Sequence, residues 1–225
     1  KIQFQVIVSA SLAGTSCDIV CAMRSRLTSR AFTRGFGFGF RSQTTLPASA
    51  QVVIVGAGPV GLYAANLLGL NGINTLILER NAAPLPMPRA IMIDDESLRT
   101  LQAIGLDQEF SPKIRTGHGA RYYGEDGIPF AEVGPGPRDY GFPKRSHFLQ
   151  PELEELLRDG LKRFKHVQLC FSATVSEVRQ GSENVTVEAA PDNAASQSVQ
   201  ASFVFGCDGA NSRIRKKLGI TMEGE

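Results

Sequence analysis

Cysteine and histidine are scarce in this 225-residue chain, at four and three residues. Four cysteines are too few for a fold built on disulfides. Cys17 and Cys21 have no histidine nearby, and Cys170 and Cys207 fall in apolar, strand-like surroundings. All four read as small buried side chains, and no metal site is expected. His118, His147 and His166 are scattered and read as surface or loop residues. Uninterrupted apolar runs are missing too. A membrane span needs about 18 to 20 such residues, and the nearest candidate, "VIVSASLAGTSCDIVCAM", is broken by serines, a threonine and Asp18. No module-length repeat is visible. Acidic residues are absent between Asp18 and Glu79, a gap holding Arg24, Arg26, Arg30, Arg34 and Arg41. The net charge of +2 points to neither nucleic acid nor a membrane surface.

What is present is ordinary for a globular chain: 42% hydrophobic and 20% charged residues, in a length suited to one sizeable domain. Residues 1–48 stand apart. From Met23 the text is rich in Arg, Ser and Thr and free of acids, the composition of an organellar transit peptide or of a disordered extension. The location expected is therefore cytoplasmic or mitochondrial. "GFGFGF" within it is low complexity and carries no chemistry. Residues 49–225 are expected to form the folded domain.

Hydrophobic patterning places buried strands at 52–55 and 74–78 around a helix at 59–71. Three prolines between Pro84 and Pro88 make the next segment a loop. A helix is expected over 94–106, capped by Asp94 or Asp95 and ending near Gly105. Region 116–148 is rich in Gly and Pro with short strand-like pieces. A helix follows over 150–164, with Pro151 in its first turn. Strands are expected near 167–170, 173–179, 185–189 and 199–205, then a turn and a short basic helix with Asn211 or Ser212 as cap. The class is α/β: a parallel sheet covered by helices, with a small antiparallel meander from 173–205.

Two motifs carry chemistry. In "QVVIVGAGPVGLYAANLLGLNGINTLILER", Gly56 allows a tight turn, Gly58 allows a diphosphate to approach the backbone, and Gly61 allows the helix to pack closely on the strand. Glu79 ends the second strand, where a carboxylate can accept from ribose hydroxyls and would repel a 2′-phosphate. The glycines alone do not separate FAD from NAD. The second motif is "FVFGCDGANSRIRKKLGI", in which a strand delivers Asp208 and Gly209 at its end. Taken alone, Asp-Gly is also a common turn.

Together the motifs resemble the FAD-dependent aromatic-ring hydroxylases of the p-hydroxybenzoate hydroxylase type, in which a strand-borne Asp-Gly element follows the glycine turn at a similar distance. "PRAIMIDDESLRTLQAIGL" is similar to the segment whose arginine contacts the cofactor, a position held by Arg89. "FLQPELEELL" is similar to the segment whose glutamine lies along the flavin, a position held by Gln150. Within the family the wording is nearest the 3-(3-hydroxyphenyl)propionate hydroxylase group. The resemblance implies a Rossmann-like FAD-binding fold. It implies a cofactor set of Gly56, Gly58, Pro59, Gly61, Glu79, Arg80, Arg89, Gln150, Asp208 and Gly209. It also implies hydroxylation of a small phenolic substrate using NAD(P)H and O₂ through a flavin C4a-hydroperoxide. It designates no catalytic side chain here, and an oligomer is compatible with it. Arg89 as a solvated loop residue and Gln150 as the polar residue before a proline-started helix remain open readings.

The family's later "G-D-A-A-H"-like motif does not occur before Glu225. The expectation is thus the front part of a monooxygenase, with 116–148 the start of its substrate region. It would bind FAD weakly or not at all, and exposed apolar surface would favour association. The alternatives are a truncated, noncatalytic FAD-fold product and, further off, an NAD-dependent dehydrogenase, which would need alternating strands and helices over 94–220.

Overall fold

The structure, a computed structural model, describes residues 44–222 except 86–88, 118 and 193. Of the extension expected over 1–48, residues 1–43 lie outside the described residues, as do Cys17, Cys21 and His118, whereas Leu46 is buried in the core and its N–H donates to Gln197 Oε1 at 2.8 Å. The framework begins with β1 (Ser49–Val55), α1 (Pro59–Leu70) and β2 (Thr75–Leu78). β1 carries apolar side chains on both faces. Val52 and Ile54 pack with Leu62, Ala65 and Ile77 under the helices, while Val53 and Val55 pack with Leu76, Val187 and Val199 on the opposite face. A strand buried on both sides needs parallel partners with cover above and below. Each fully buried Leu or Ile of these two layers contributes about 1.5–3 kcal/mol.

β3 (Met92–Asp94) leads into α2 (Asp95–Ala103) and α3 (Asp107–Phe110). Asp94 is the cap, its side chain accepting from Ser97 N at 2.8 Å. The helix expected over 94–106 is α2, which ends just before Gly105 turns to φ +70°, and α3 is a separate short helix after that turn. β4 (Arg115–Thr116), β5 (Ala120–Tyr123), β6 (Pro129–Val133) and β7 (Arg145–His147) follow. β7 lies between β3 and β4 in a small antiparallel sheet, and β5 and β6 form a separate hairpin. Tyr123, Ile128 and Phe130 on that hairpin are exposed.

α4 (Gln150–Leu161) lies against α1. Asn66, wholly buried, locks the pair. Its Nδ2 donates to Leu62 O and Leu157 O, both at 2.9 Å, and its Oδ1 accepts from Arg163 Nη2 at 3.0 Å. A buried amide satisfied on both ends fixes the helix pair in one arrangement.

β8 (Val167–Cys170), β9 (Ala173–Gln180), β10 (Val185–Pro191) and β11 (Gln197–Gly206) complete one six-stranded sheet in the order β8-β2-β1-β11-β10-β9. β8, β2, β1 and β11 are parallel, whereas β9–β10–β11 is the antiparallel meander. The meander is continuous with the parallel sheet through β11 and also supplies Val185, Val187 and Ala189 to the core on the face away from α1 and α4. Three successive antiparallel strands are not the alternation a dehydrogenase would need. α5 (Arg213–Lys217) ends the described elements. The parallel strands all deliver their C-terminal ends, Val55, Leu78, Cys170 and Gly206, to the same edge.

Candidate functional site

Two backbone hydrogen bonds draw three of these strand ends together. Gly56 N donates to Leu78 O and Cys207 N donates to Val55 O, each at 2.8 Å. Gly56 sits at φ +106°, a conformation that favours glycine, and a Cβ there would collide with the Cys207 carbonyl. The glycine thus permits the turn and also lets the Cys207–Asp208 segment lie against it. A Cβ on Gly61 would collide with the Gly56 carbonyl, so α1 can meet β1 only without one. Gly58 differs: among the described residues, its chain neighbours apart, no heavy atom lies within 4 Å of where its Cβ would be. α1 then starts at Pro59, and no side chain caps the N–H groups of its first turn.

Glu79 closes over this turn. Its Oε2 accepts from Ala57 N and its Oε1 from Asn81 N, both at 2.9 Å. A carboxylate has about four acceptor positions, so each oxygen keeps capacity for a hydroxyl. Arg80 is exposed beside it. Ala57, Gly58, Glu79 and Asn81, but not Arg80, line a shallow open cleft whose other wall includes Leu85, Arg89, Arg158 and Phe171.

Arg89 is largely exposed, and its Nη2 lies 3.8 Å from Glu154 Oε1. Arg158 approaches Glu154 Oε2 from the other side at 3.9 Å. Burial lowers the Arg158 pKa, with the neighbouring charges of Glu154, Glu155 and Asp159 opposing the shift. Gln150 is buried and faces the loop rather than open space: its Oε1 accepts from Arg89 N and Ala90 N, both at 2.9 Å. Glu154 and Arg158 were not picked out from sequence. The signal was available, because 150, 154 and 158 recur at helical spacing on a helix that the sequence predicts.

The Asp208 carboxylate is engaged with its own helix. It accepts from Ser212 Oγ at 2.5 Å, Arg213 N at 2.7 Å and Ile214 N at 3.4 Å. Ser212, one of the two expected caps, accepts from Arg215 N. Gly209 adopts φ +88° beside it. Burial, then the Asp208 charge, pushes the Cys207 thiol up to about 11, and burial raises the Cys170 thiol as well. Neither thiol is a nucleophile at neutral pH. His147 lies within β7, and His166 Nε2 is 3.0 Å from Gly69 O. Neither is near the cleft lining. Among the described residues, no cluster of three or more His, Cys, Asp or Glu side chains is placed for a metal, and no helix is long and apolar enough to cross a membrane.

The structure thus brings Gly56, Gly58, Pro59, Gly61, Glu79 and Arg80 to one edge of the sheet, with Asp208 and Gly209 against the turn and Arg89 across the cleft. The donor set fits a dinucleotide: amides without a side-chain cap and a space beside Gly58 that any side chain would fill, with a carboxylate one strand over.

Comparison with known proteins gives the same reading. The 3-(3-hydroxy-phenyl)propionate/3-hydroxycinnamic acid hydroxylase of Paraburkholderia xenovorans (strain LB400) is 40% identical over 176 residues, covering 78% of this chain and 28% of that protein. The protein of the same name from Mycolicibacterium smegmatis (strain ATCC 700084 / mc(2)155) is 41% identical over 179 residues, covering 79% and 32%. The chain therefore spans about a third of the length of these curated relatives. The crystal structure of p-nitrophenol 4-monooxygenase from Pseudomonas putida DLL-E4 superposes with a TM-score of 0.72 at 26% identity, over 80% of this chain and 46% of that one. The profile of the FAD binding domain matches residues 49–225. A glycine turn open only at Gly58, an acid closing over it and a profile match running from β1 to the last residue have one explanation: the chain belongs to the FAD binding domain family.

Proposed function

We propose that this chain is the cofactor-holding N-terminal part of a monooxygenase that hydroxylates a phenolic substrate with NAD(P)H and O₂. The observation that carries the reading is the convergence at one sheet edge of the open Gly58 turn, Glu79 and the Asp208 loop. FAD, when bound and reduced, supplies the oxygen-activating chemistry. The chain's own residues bind and orient it. The amides of Gly58, Val60 and Gly61 face the diphosphate, Glu79 takes a ribose hydroxyl on its remaining acceptor positions, and Arg89 faces the diphosphate from across the cleft. Because Glu79 is anionic, a 2′-phosphate in its place would be repelled. Asp208 acts by holding the start of α5, and so the loop that lies against Gly56.

Residues 49–225 form the FAD-binding domain in this reading, with 116–148 opening the substrate region. The names of the relatives near 40% identity support a phenyl-propionate or cinnamate carrying a ring hydroxyl as substrate. The acid-free, arginine-rich segment 23–48 supports an organellar address. The purified chain is tested by incubation with FAD, desalting and a visible absorption spectrum. Weak binding is expected, seen as quenching of flavin fluorescence on titration with little flavin absorbance surviving desalting. A colourless protein that also fails to quench flavin fluorescence would rule the cofactor role out.

A further inference from the structure

The carboxylate of Glu154 is only 7% exposed, yet it sits at the wall of the cleft. Its Oε1 accepts from Gln150 Nε2 at 2.7 Å. That contact determines how Gln150 is turned. The two backbone N–H groups of Arg89 and Ala90 can only donate, so the carboxamide must present its oxygen to them. A carboxylate on the other side can only accept, so it requires the NH₂ end there. Both demands select the same rotamer. The buried side chain of α4 is thereby clamped onto a loop that is otherwise exposed.

We propose that Glu154 is a positioning residue of the cofactor cleft. Through the Gln150 carboxamide it fixes the Arg89–Ala90 backbone, and with its second oxygen it places Arg158 on the same wall. Gln150 then acts on the cofactor by holding the Arg89 loop rather than by touching the flavin. The consequence for the ligand rests on the FAD reading above; the clamp itself does not. Glu154 touches no reacting atom, so its effect is on where Arg89 lies.

The test is residue-resolved amide hydrogen exchange on the purified chain without ligand, with FAD titration alongside. In the wild type the Arg89 and Ala90 amides are protected. In Glu154→Leu, which cannot accept from Gln150, their exchange accelerates by about tenfold or more, while Val53 and Leu76 in the sheet keep wild-type rates. Glu154→Gln, whose carbonyl still accepts from Gln150 Nε2, keeps the protection. Gln150→Leu loses it, and the Gln150→Leu/Glu154→Leu double variant loses no more. Wild-type rates at Arg89 and Ala90 in Glu154→Leu overturn the proposal. So does loosening spread equally into β1 and β2, or loss of protection in Glu154→Gln. If Glu154→Leu does not fold, Glu154→Asp carries the same expectation, because it withdraws the acceptor by one methylene. FAD affinity should fall about tenfold in Glu154→Leu and be rescued in Glu154→Gln. Unchanged affinity in Glu154→Leu refutes the positioning role for the cofactor. A wild type that binds no flavin refutes the cofactor reading instead, and the exchange rates still decide the clamp.

Discussion

Gly58 and Gly61 stand three positions apart in one turn, and replacing each by alanine should have opposite consequences. Gly58 lies at φ −74°, ψ −179°, a conformation any residue adopts, and its Cβ would enter open space. Gly58→Ala removes conformational freedom from the unfolded chain and so should stabilise by about 0.4–1 kcal/mol. For a domain of this size that raises Tm by roughly one to four degrees. The same methyl fills the space through which a diphosphate approaches, so FAD affinity should fall about tenfold or more, equivalent to about 1.4 kcal/mol. Gly61→Ala places its Cβ on the Gly56 carbonyl and within 3.3 Å of Ile54 Cγ2. The helix-propensity gain of alanine, about 1 kcal/mol, works against an overlap with backbone that a rotamer change cannot relieve. Overpacking of this kind costs about 1–3 kcal/mol, and backbone contact puts it at the upper end. A net loss is expected, with the urea midpoint lowered at constant slope. Thermal and urea unfolding by circular dichroism, with flavin fluorescence quenching, separate the two variants. Wild-type FAD affinity in Gly58→Ala would refute the reasoning, because it would mean the open space beside the turn belongs to no ligand.

Three further outcomes follow from the same geometry. Glu79→Ala removes the acceptor of two backbone N–H groups and should lower unfolding stability by about 1–3 kcal/mol, with Glu79→Gln recovering part of it; an unchanged urea midpoint would contradict this. Asp208→Ala uncaps α5 and should cost about 1–2 kcal/mol, accompanied by faster exchange at Arg213 and Ile214; equal exchange there would refute the capping role. Cys207 is held protonated by burial, with its folded pKa raised to about 11 from 9.0. Because the unfolded chain ionises first, this contribution is fully present below pH 9.0 and is lost as pH rises toward 11. Cys207→Ala should flatten that part of the stability–pH curve, and an identical slope in the variant would show that other groups produce it.

The parts legible in the sequence are those whose cause is local. β1 and β2 are short apolar runs because both their faces are covered, and α1 and α4 show themselves by period and by Pro59 and Pro151. β3, β4 and β7 were missed for the opposite reason. They are two or three residues long and are strands only because β7 runs between partners distant in sequence. The pattern of 197–206 likewise marks a strand but not its neighbours. That it joins β1 in parallel and β10 in antiparallel, making one sheet of two expected pieces, depends on which edges are left unpaired.

The same division runs through the site. The family resemblance pointed to Gln150 and, with the Asp-Gly motif, to Asp208, but their roles depend on what occupies their hydrogen-bonding capacity. Gln150 is turned to the Arg89 loop by Glu154, and Asp208 to the first turn of α5. The glycines make the point most sharply. Sequence marks three positions and assigns each a general reason, but not the atoms that would meet a side chain. Gly56 is glycine because the Cys207 carbonyl occupies its flank, and Gly61 because the Gly56 carbonyl does. Both reasons are internal to the fold and would hold in a protein that bound nothing. Beside Gly58 none of the described residues, its chain neighbours apart, supplies an atom within 4 Å. Its conformation does not demand glycine either, so of the three replacements only Gly58→Ala separates an effect on a ligand from an effect on the fold.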